Sequence, residues 1–461
     1  MRQILNPVER RDFFCEDKIL KLYRYRTVQS ALLELENGSF YFAKPEELND
    51  PLEGYLKIFL QGDKPAWEGL LKNFVCSLFY NLQTYLLMVR NFGGGQNNYL
   101  HDFQNRIVIT NLRHFENSPL NQIFKELAES FLRDIEVKKV INFYGDENIK
   151  CYGRELEFIL RTVADAACHL CVKKCKSLGL IQSDFDETFF DVAYEISFSK
   201  LKSLNNAERK RQIDDIENLN LDAMESGLLG LKLNRRNVTD LNYELKQKIL
   251  QLKIFFPRIY AEQLKEIMYP NGYVVCFSET PTNSAMWGNY ADNHRGICFI
   301  YETETLDGRD FINFATKSLE VKQIKYSAQF IERNFFNTLK HLDFLRADDW
   351  LTGKNGVKSC KLDEIEATGE YDDVYHEKFY RKTADWYHER EYRIFLPDEF
   401  HRYADKFSRH LRYDLSLLKG IIFGLPRLTK PTYGKFLSLA SCGHGENAPM
   451  ELKPTARARL T

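Results

Sequence analysis

The chain contains no uninterrupted apolar run of about 18 residues, so no membrane span is expected. Its first residues, Met1 to Arg11, are polar and charged and have no apolar centre, so they do not read as a signal peptide. Net charge is nearly absent: Lys+Arg 64 stand against Asp+Glu 65, a formal net charge of -1. A balanced chain carries no global field that would draw it to nucleic acid or to an anionic membrane, and only a local basic groove stays open. Ten cysteines are scattered over 461 residues without a secretory signal. Reduced thiols and a cytoplasmic location are expected.

Two apparent motifs also lack what their chemistry needs. Cys168, His169, Cys171 and Cys175 fall within one predicted helix. One helix presents more than two ligands to a metal only awkwardly, and no second cluster follows at a suitable spacing. Spacings of three and four fit buried core thiols instead. Gly93, Gly94 and Gly95 are not followed by the Lys-Ser/Thr of a phosphate loop, and they follow a helix, not a strand. They read as a linker.

What the chain does have is aromatic and apolar periodicity. With 34 Phe and 25 Tyr it is a folding chain, long enough for two or three domains. Trp67, Leu70, Leu71, Phe74, Val75, Leu78, Phe79, Leu82, Tyr85, Leu86 and Val89 repeat at helical spacing, which predicts one long amphipathic helix. Further helices are expected over 119–137, 153–178, 186–204 and 239–256. The basic groups Lys173, Lys174, Lys176 and Arg209, Lys210, Arg211 read as solvated helix faces, with no interleaved aromatics to mark a nucleic-acid contact. Strands are expected over 19–26, 39–43, 272–278, 297–301, 321–326 and 418–423, with an edge strand within 447–460. Short helices are expected over 27–36 and 429–440, a longer helical stretch over 328–350, and a loop over 351–375. Strands at both ends around a helical block predict an α+β fold, a small mixed or antiparallel sheet with a large all-helical insertion. The expected boundaries are 1–64 and 269–461 for the sheet domain and 65–268 for the insertion.

Candidate site residues come from four stretches. Trp386 to Phe395, closed by Pro397, reads as a strand, which puts Glu389, Glu391 and Arg393 on one face about 7 Å apart in turn. That face is either exposed with cross-strand ion pairs, or buried with its charges paired or meeting a ligand. On the first strand Arg24 and Arg26 share one face, Tyr23 and Tyr25 the other. Asn49-Asp50-Pro51 marks a tight turn, which either ends there or offers Asn49, Asp50 or Glu53 to a pocket. Ser284 to Gly296 reads as a short helix capped by Asn283 or Ser284 and ended by Gly296. His294 at its end either caps the helix and walls a pocket or contacts a ligand.

In that order the four stretches resemble the bacterial domain of unknown function 2971. They are Leu22 to Arg26, Asn49 to Glu53, Cys276 to Ser278 with Met286, Trp287 and Tyr290 to Gly296, and Trp386 with Glu389, Glu391 and Arg393. Ile421 to Gly424 fits the following strand, and the resemblance covers about 19–60 and 271–440. The helical segment exceeds what that family carries between its second and third motifs. The layout is similar to ADP-ribosyltransferase-like toxins and phage-defence effectors. The resemblance implies NAD as co-substrate, Glu391 as the catalytic carboxylate and Glu389 as base toward the acceptor. It implies Arg24 at the phosphates or ribose, Tyr290 or Trp287 stacked on nicotinamide, and Tyr25, Asn49, Asp50, His294 and Arg393 around them. No metal is required. It implies a nucleic acid or protein acceptor, an antitoxin or phage trigger, no membrane, and a homo-oligomer through the insertion. Two alternatives stay open: a metal-assisted nuclease using Asp50, Glu53, Glu389 and Glu391, and a non-catalytic phage-sensing module.

Overall fold

The structure is a computed structural model that describes residues 19–92, 107–185, 201, 203–205, 207–218, 241–268, 271–339, 347–363, 376–398, 402–425, 430–441 and 451–454. The triple-glycine stretch and most of the helix expected over 186–204 lie outside the described residues. Among the described residues, no helix is long and apolar enough to cross a membrane.

Strands follow in chain order as β1 (Lys21–Arg26), β2 (Ser39–Tyr41), β3 (Leu56–Leu60), β4 (Cys151–Tyr152), β5 (Gly272–Ser278) and β6 (Ile297–Glu302). Then come β7 (Glu304–Leu306), β8 (Arg309–Phe314), β9 (Lys317–Gln323), β10 (Lys325–Ser327), β11 (Ile331–Asn334) and β12 (Arg381–Thr383). The last are β13 (Glu391–Pro397), β14 (His410–Arg412), β15 (Leu418–Phe423) and β16 (Glu451–Pro454). The longer helices are α1 (Val28–Asn37), α2 (Lys64–Phe92), α3 (Asn121–Phe131), α4 (Ile135–Tyr144) and α5 (Arg154–Ser177). They continue with α6 (Leu241–Met268), the short α7 (Ser284–Tyr290) and α8 (Lys430–Ser441). The chain divides into two compact units. One holds Met1–Tyr55, Pro270–Phe330 and Asp373–Thr461, the other Leu56–Tyr269 and Ile331–Asp372.

The first unit is α+β. Its main sheet runs β16-β15-β6-β1-β5-β13-β9-β8-β7, with every pairing antiparallel except β15 with β16. Side chains alternate across it. One face carries Leu22, Phe277, Phe299, Ile394 and Ile421 into a core closed by Ala31 and Leu35 of α1 and Phe436 of α8. Each such side chain contributes about 1.5–3 kcal/mol through burial. α1 forms where expected because Thr27 accepts the Ser30 amide and Gly38, at φ 55, closes the C-terminus. The opposite face carries Tyr25, Cys298 and Ile300 against Met286 and Trp287 of α7. Further along that face, Val274 and Phe395 pack on Phe379.

The second unit is mostly helical. α2 buries Trp67, Leu70, Phe74 and Phe79 at the predicted spacing. Gly69 lets it approach the backbone closely, since a Cβ there would lie 2.0 Å from the Trp350 carbonyl oxygen. Cys168, Cys171 and Cys175 are buried core thiols of α5. The helix expected over 119–137 breaks in two, because Asp134 caps α4 by accepting from Glu136 and Val137 amides. The helical stretch expected over 328–350 begins instead as β11, which pairs in parallel with β3, and β3 pairs on its other side with β4. That pairing draws Leu56–Leu60 and Ile331–Asp372 into the helical unit, so its boundaries differ from 65–268. Tertiary pairing has overridden local helical pattern there.

Candidate functional site

A split in the first unit's sheet makes the site. β1 pairs with β6 at six positions, Lys21↔Glu302 through Arg26↔Ile297, but meets β5 only at Tyr23↔Ser278. β5 keeps a full ladder with β13 on its other side. The two strands therefore diverge. Ala43 exchanges both backbone bonds with Val274, at 2.8 Å each, further along. Between these points the Cys276 carbonyl accepts from Arg24 Nη1 at 2.8 Å, which satisfies a backbone group the ladder has left open. The gap widens into a cleft of about 320 Å³. Tyr23, Tyr25, Tyr41, Met286 and Tyr290 wall it, and Lys382, Glu389, Glu391 and Arg393 form its charged floor.

The floor is a buried ionic cluster. Lys382 Nζ donates to Glu389 Oε2 at 2.7 Å and to Glu391 Oε2 at 3.3 Å, and lies 3.6 Å from Glu53 Oε2. Arg393 donates to both oxygens of Glu391, from Nε at 2.6 Å and Nη2 at 3.0 Å. Its Nη1 reaches Glu53 Oε1 at 2.6 Å and the Phe379 carbonyl at 2.9 Å. Tyr290 OH donates to Glu389 Oε1 at 2.6 Å. All five charged side chains are at most 4% exposed, and three carboxylates face two cations. Burial alone would raise Glu391, but Arg393 and Lys382 outweigh it and hold its carboxyl well below the usual range. Burial alone would lower Lys382, yet Glu391 and Glu389 raise it above its ordinary value. Burial, and then Glu389, pushes the Tyr290 phenol up, so it remains a donor. Among the described residues no group of three or more His, Cys, Asp or Glu is arranged to hold a metal ion.

Glu389 reaches this floor by a different route from the one its sequence predicts. The strand does not start at Trp386. Residues Ala384–Glu389 form a 3-10 turn, Arg390 takes the left-handed conformation at φ 45, and β13 begins at Glu391. Ser278 Oγ donates to the Glu389 carbonyl at 2.9 Å, and Asn283 Nδ2 to that of His388. Glu391 and Arg393 do share a strand face, while Glu389 is brought beside them by the turn.

The other candidates divide. Arg24 and Asn49 border the cleft, as does Tyr25, whose OH donates to the Thr280 carbonyl at 2.7 Å. Arg24 is not free, however. Its guanidinium is turned to the far face of the sheet, where Nε donates to Glu34 Oε2 at 3.0 Å. Arg26 donates to the same oxygen at 2.9 Å and Tyr301 to Oε1 at 3.0 Å. Burial alone would raise Glu34, but Arg24 and Arg26 bring it below its ordinary value. Trp287 does not wall the cleft. It is 4% exposed, packs edge-on to Tyr25 at 5.2 Å and donates to the Pro281 carbonyl at 2.8 Å. Asp50 is buried in its turn, where Oδ1 accepts the Leu52 amide at 2.9 Å and its carbonyl the Glu53 amide at 3.0 Å. That turn delivers Glu53, not Asp50, to the cluster. His294 is exposed and does not line the cleft. α7 stops at Tyr290, and Asp292, Asn293 and His294 form a left-handed turn at φ 47, 50 and 70. Gly296 does not end the helix; it permits close approach, since a Cβ would lie 2.2 Å from the Arg26 carbonyl.

Lys382 is the residue that sequence reasoning missed. β12 has the burial alternation of a half-buried strand, with Lys382 inward between Arg381 and Thr383. Three residues give too short a period to be read, and the inward position depends on pairing with β10.

Residues 286–394 match the family described as Protein of unknown function (DUF2971), the family whose motifs the sequence resembles. The matched segment runs from Met286 on α7 to Ile394 on β13 and includes Tyr290, Lys382, Glu389, Glu391 and Arg393. No curated protein and no solved structure matches the chain.

Proposed function

We propose that this cleft binds NAD as a substrate and cleaves its nicotinamide-ribose bond, passing the ADP-ribosyl group to a nucleic acid or protein acceptor or to water. The observation that carries the reading is the pair Glu389 and Glu391, fixed by Lys382 and Arg393 on the floor of a tyrosine-walled cleft. Aromatic walls suit a flat ring, and Tyr290 stands directly against one of the carboxylates. In the reaction the C1'–N bond breaks and nicotinamide leaves with the bonding pair. Positive charge then develops on the ribose, and a preorganised carboxylate in a dry site stabilises it. Glu391 suits that electrostatic role, because its cations hold it in place and keep it ionised. The acceptor oxygen or nitrogen bonds to C1' and its proton passes to a base. Glu389 suits the base role. A carboxylate has about four acceptor sites, and those of Glu389 accept only from Tyr290 and Lys382 among the described residues.

The nuclease reading draws less support, since Lys382 and Arg393 already neutralise much of the negative charge of these carboxylates and Asp50 stands apart in its turn. The free cysteines fit a cytoplasmic toxin or antiviral effector, with a trigger or antitoxin controlling it. Nicotinamide release from NAD, followed by chromatography in wild type and Glu391→Gln with acceptor extracts supplied, tests the reading. Release is expected in the wild type and about 10²–10³-fold less in the variant. No release with any acceptor or trigger would remove the NAD reading. Magnesium-dependent nucleic-acid cleavage without NAD would replace it with the nuclease.

A further inference from the structure

We infer that Lys382 is a positioning residue, whose ammonium holds Glu389 and Glu391 together on the cleft floor in the arrangement the reaction needs. The inference rests on the reading of the site given above. Two carboxylates that share one oxygen-rich space repel, and both stay ionised there only if a cation lies between them. Lys382 Nζ is that cation, at 2.7 Å from Glu389 and 3.3 Å from Glu391. Arg393 does not take its place for Glu389, because four of its five N–H donors go to Glu391, Glu53 and the Phe379 carbonyl and none to Glu389. Lys382 therefore links the residue delivered by the 3-10 turn to the residue delivered by β13.

Glu391 and Arg393 face the ammonium from β13, Glu389 from the 3-10 turn and Glu53 from the Asn49-Asp50-Pro51 turn. The Trp386 ring lies 4.6 Å from it, an additional cation-π contact. Among the described residues, Tyr290 of α7, Tyr326 of β10 and Cys276 of β5 are further titratable groups of the cluster. Of these only Lys382 and Arg393 are cations. Removing the Lys382 charge leaves three carboxylates to one guanidinium, and Glu391 then takes up a proton more readily.

The test compares wild type with Lys382→Met and Lys382→Arg, using the pH profile of nicotinamide release. The methionine variant is expected to lose about 100-fold in rate at neutral pH, and the acid limb of its profile to move up by about one pH unit. Lys382→Arg keeps the charge and is expected to leave the limb in place with a smaller loss of rate. Should the methionine variant not fold, Lys382→Gln, which keeps a donor without the charge, replaces it. A neutral variant that folds and keeps both the wild-type rate and the wild-type acid limb overturns the inference while leaving the NAD reading intact. A wild type that releases no nicotinamide overturns the NAD reading alone. The inference is then decided by infrared titration of the carboxylate band that Glu391→Gln removes. That band is expected to titrate at higher pH in Lys382→Met, and an unchanged titration overturns the inference.

Discussion

The first unit buries two ionic clusters, one on each face of the same sheet, and they are built from similar side chains. On the α1 face, Arg24 and Arg26 converge on Glu34, with Tyr301 donating to its other oxygen. On the α7 face, Lys382 and Arg393 meet Glu53, Glu389 and Glu391, with Tyr290 donating. The first has two cations for one acid, and its Arg24 guanidinium is covered by rings, 5.3 Å from Phe40 and 5.4 Å from Phe277. The second has two cations for three acids and forms the floor of a cleft. An arginine and a glutamate in sequence therefore say little about role. What separates the two clusters is whether carboxylate acceptor sites remain open toward a cavity.

This contrast can be broken most forcefully at Glu34. Glu34→Ala leaves two arginines without their shared acid, and breaking a buried pair this way is expected to cost about 3–5 kcal/mol. Urea unfolding followed by tryptophan fluorescence measures it, and a cost under about 1 kcal/mol would show that the cluster does not hold the fold. Acid sensitivity gives a smaller, shared effect. Glu34 and Glu391 are both depressed in the folded chain. The stability each contributes is fully present above the unfolded carboxylate value of about 4.3, and is lost as pH falls through the lower folded value. The melting temperature is thus expected to stay level from neutrality to about pH 5 and to drop below about pH 4. Scanning calorimetry across that range checks it, and a flat curve down to about pH 3 would contradict the ion pairing on both faces. The smallest effect is expected at His294, which lies outside both clusters. His294→Asn keeps a residue that tolerates the left-handed turn and should leave melting temperature and nicotinamide release unchanged. A loss of about tenfold or more would return His294 to the site.

Most of the architecture was legible where a repeat runs long enough to be counted. α2 repeats its apolar residues over about six turns of chain at helical spacing, and β1, β5, β6 and β15 are filled with branched or aromatic side chains. The site was legible only in part. Glu391 and Arg393 could be paired by strand alternation alone, because residues two apart share a face. Glu389 could not, since the left-handed Arg390 that redirects it has no signature in a stretch of aromatic and charged residues. Arg24 could be placed on the first strand but not assigned a partner, because Glu34 is supplied by the next helix.

By itself, then, the sequence determined the helical block, the strands at either end, and the residue types of a charged strand face, all of which follow from local periodicity and turn chemistry. The tertiary structure alone decided that β11 joins β3, that β1 and β5 part to open a cleft, and that Lys382 stands between two glutamates. These depend on contacts between segments far apart in the chain, where pairing and the need to neutralise buried charge outweigh any local preference.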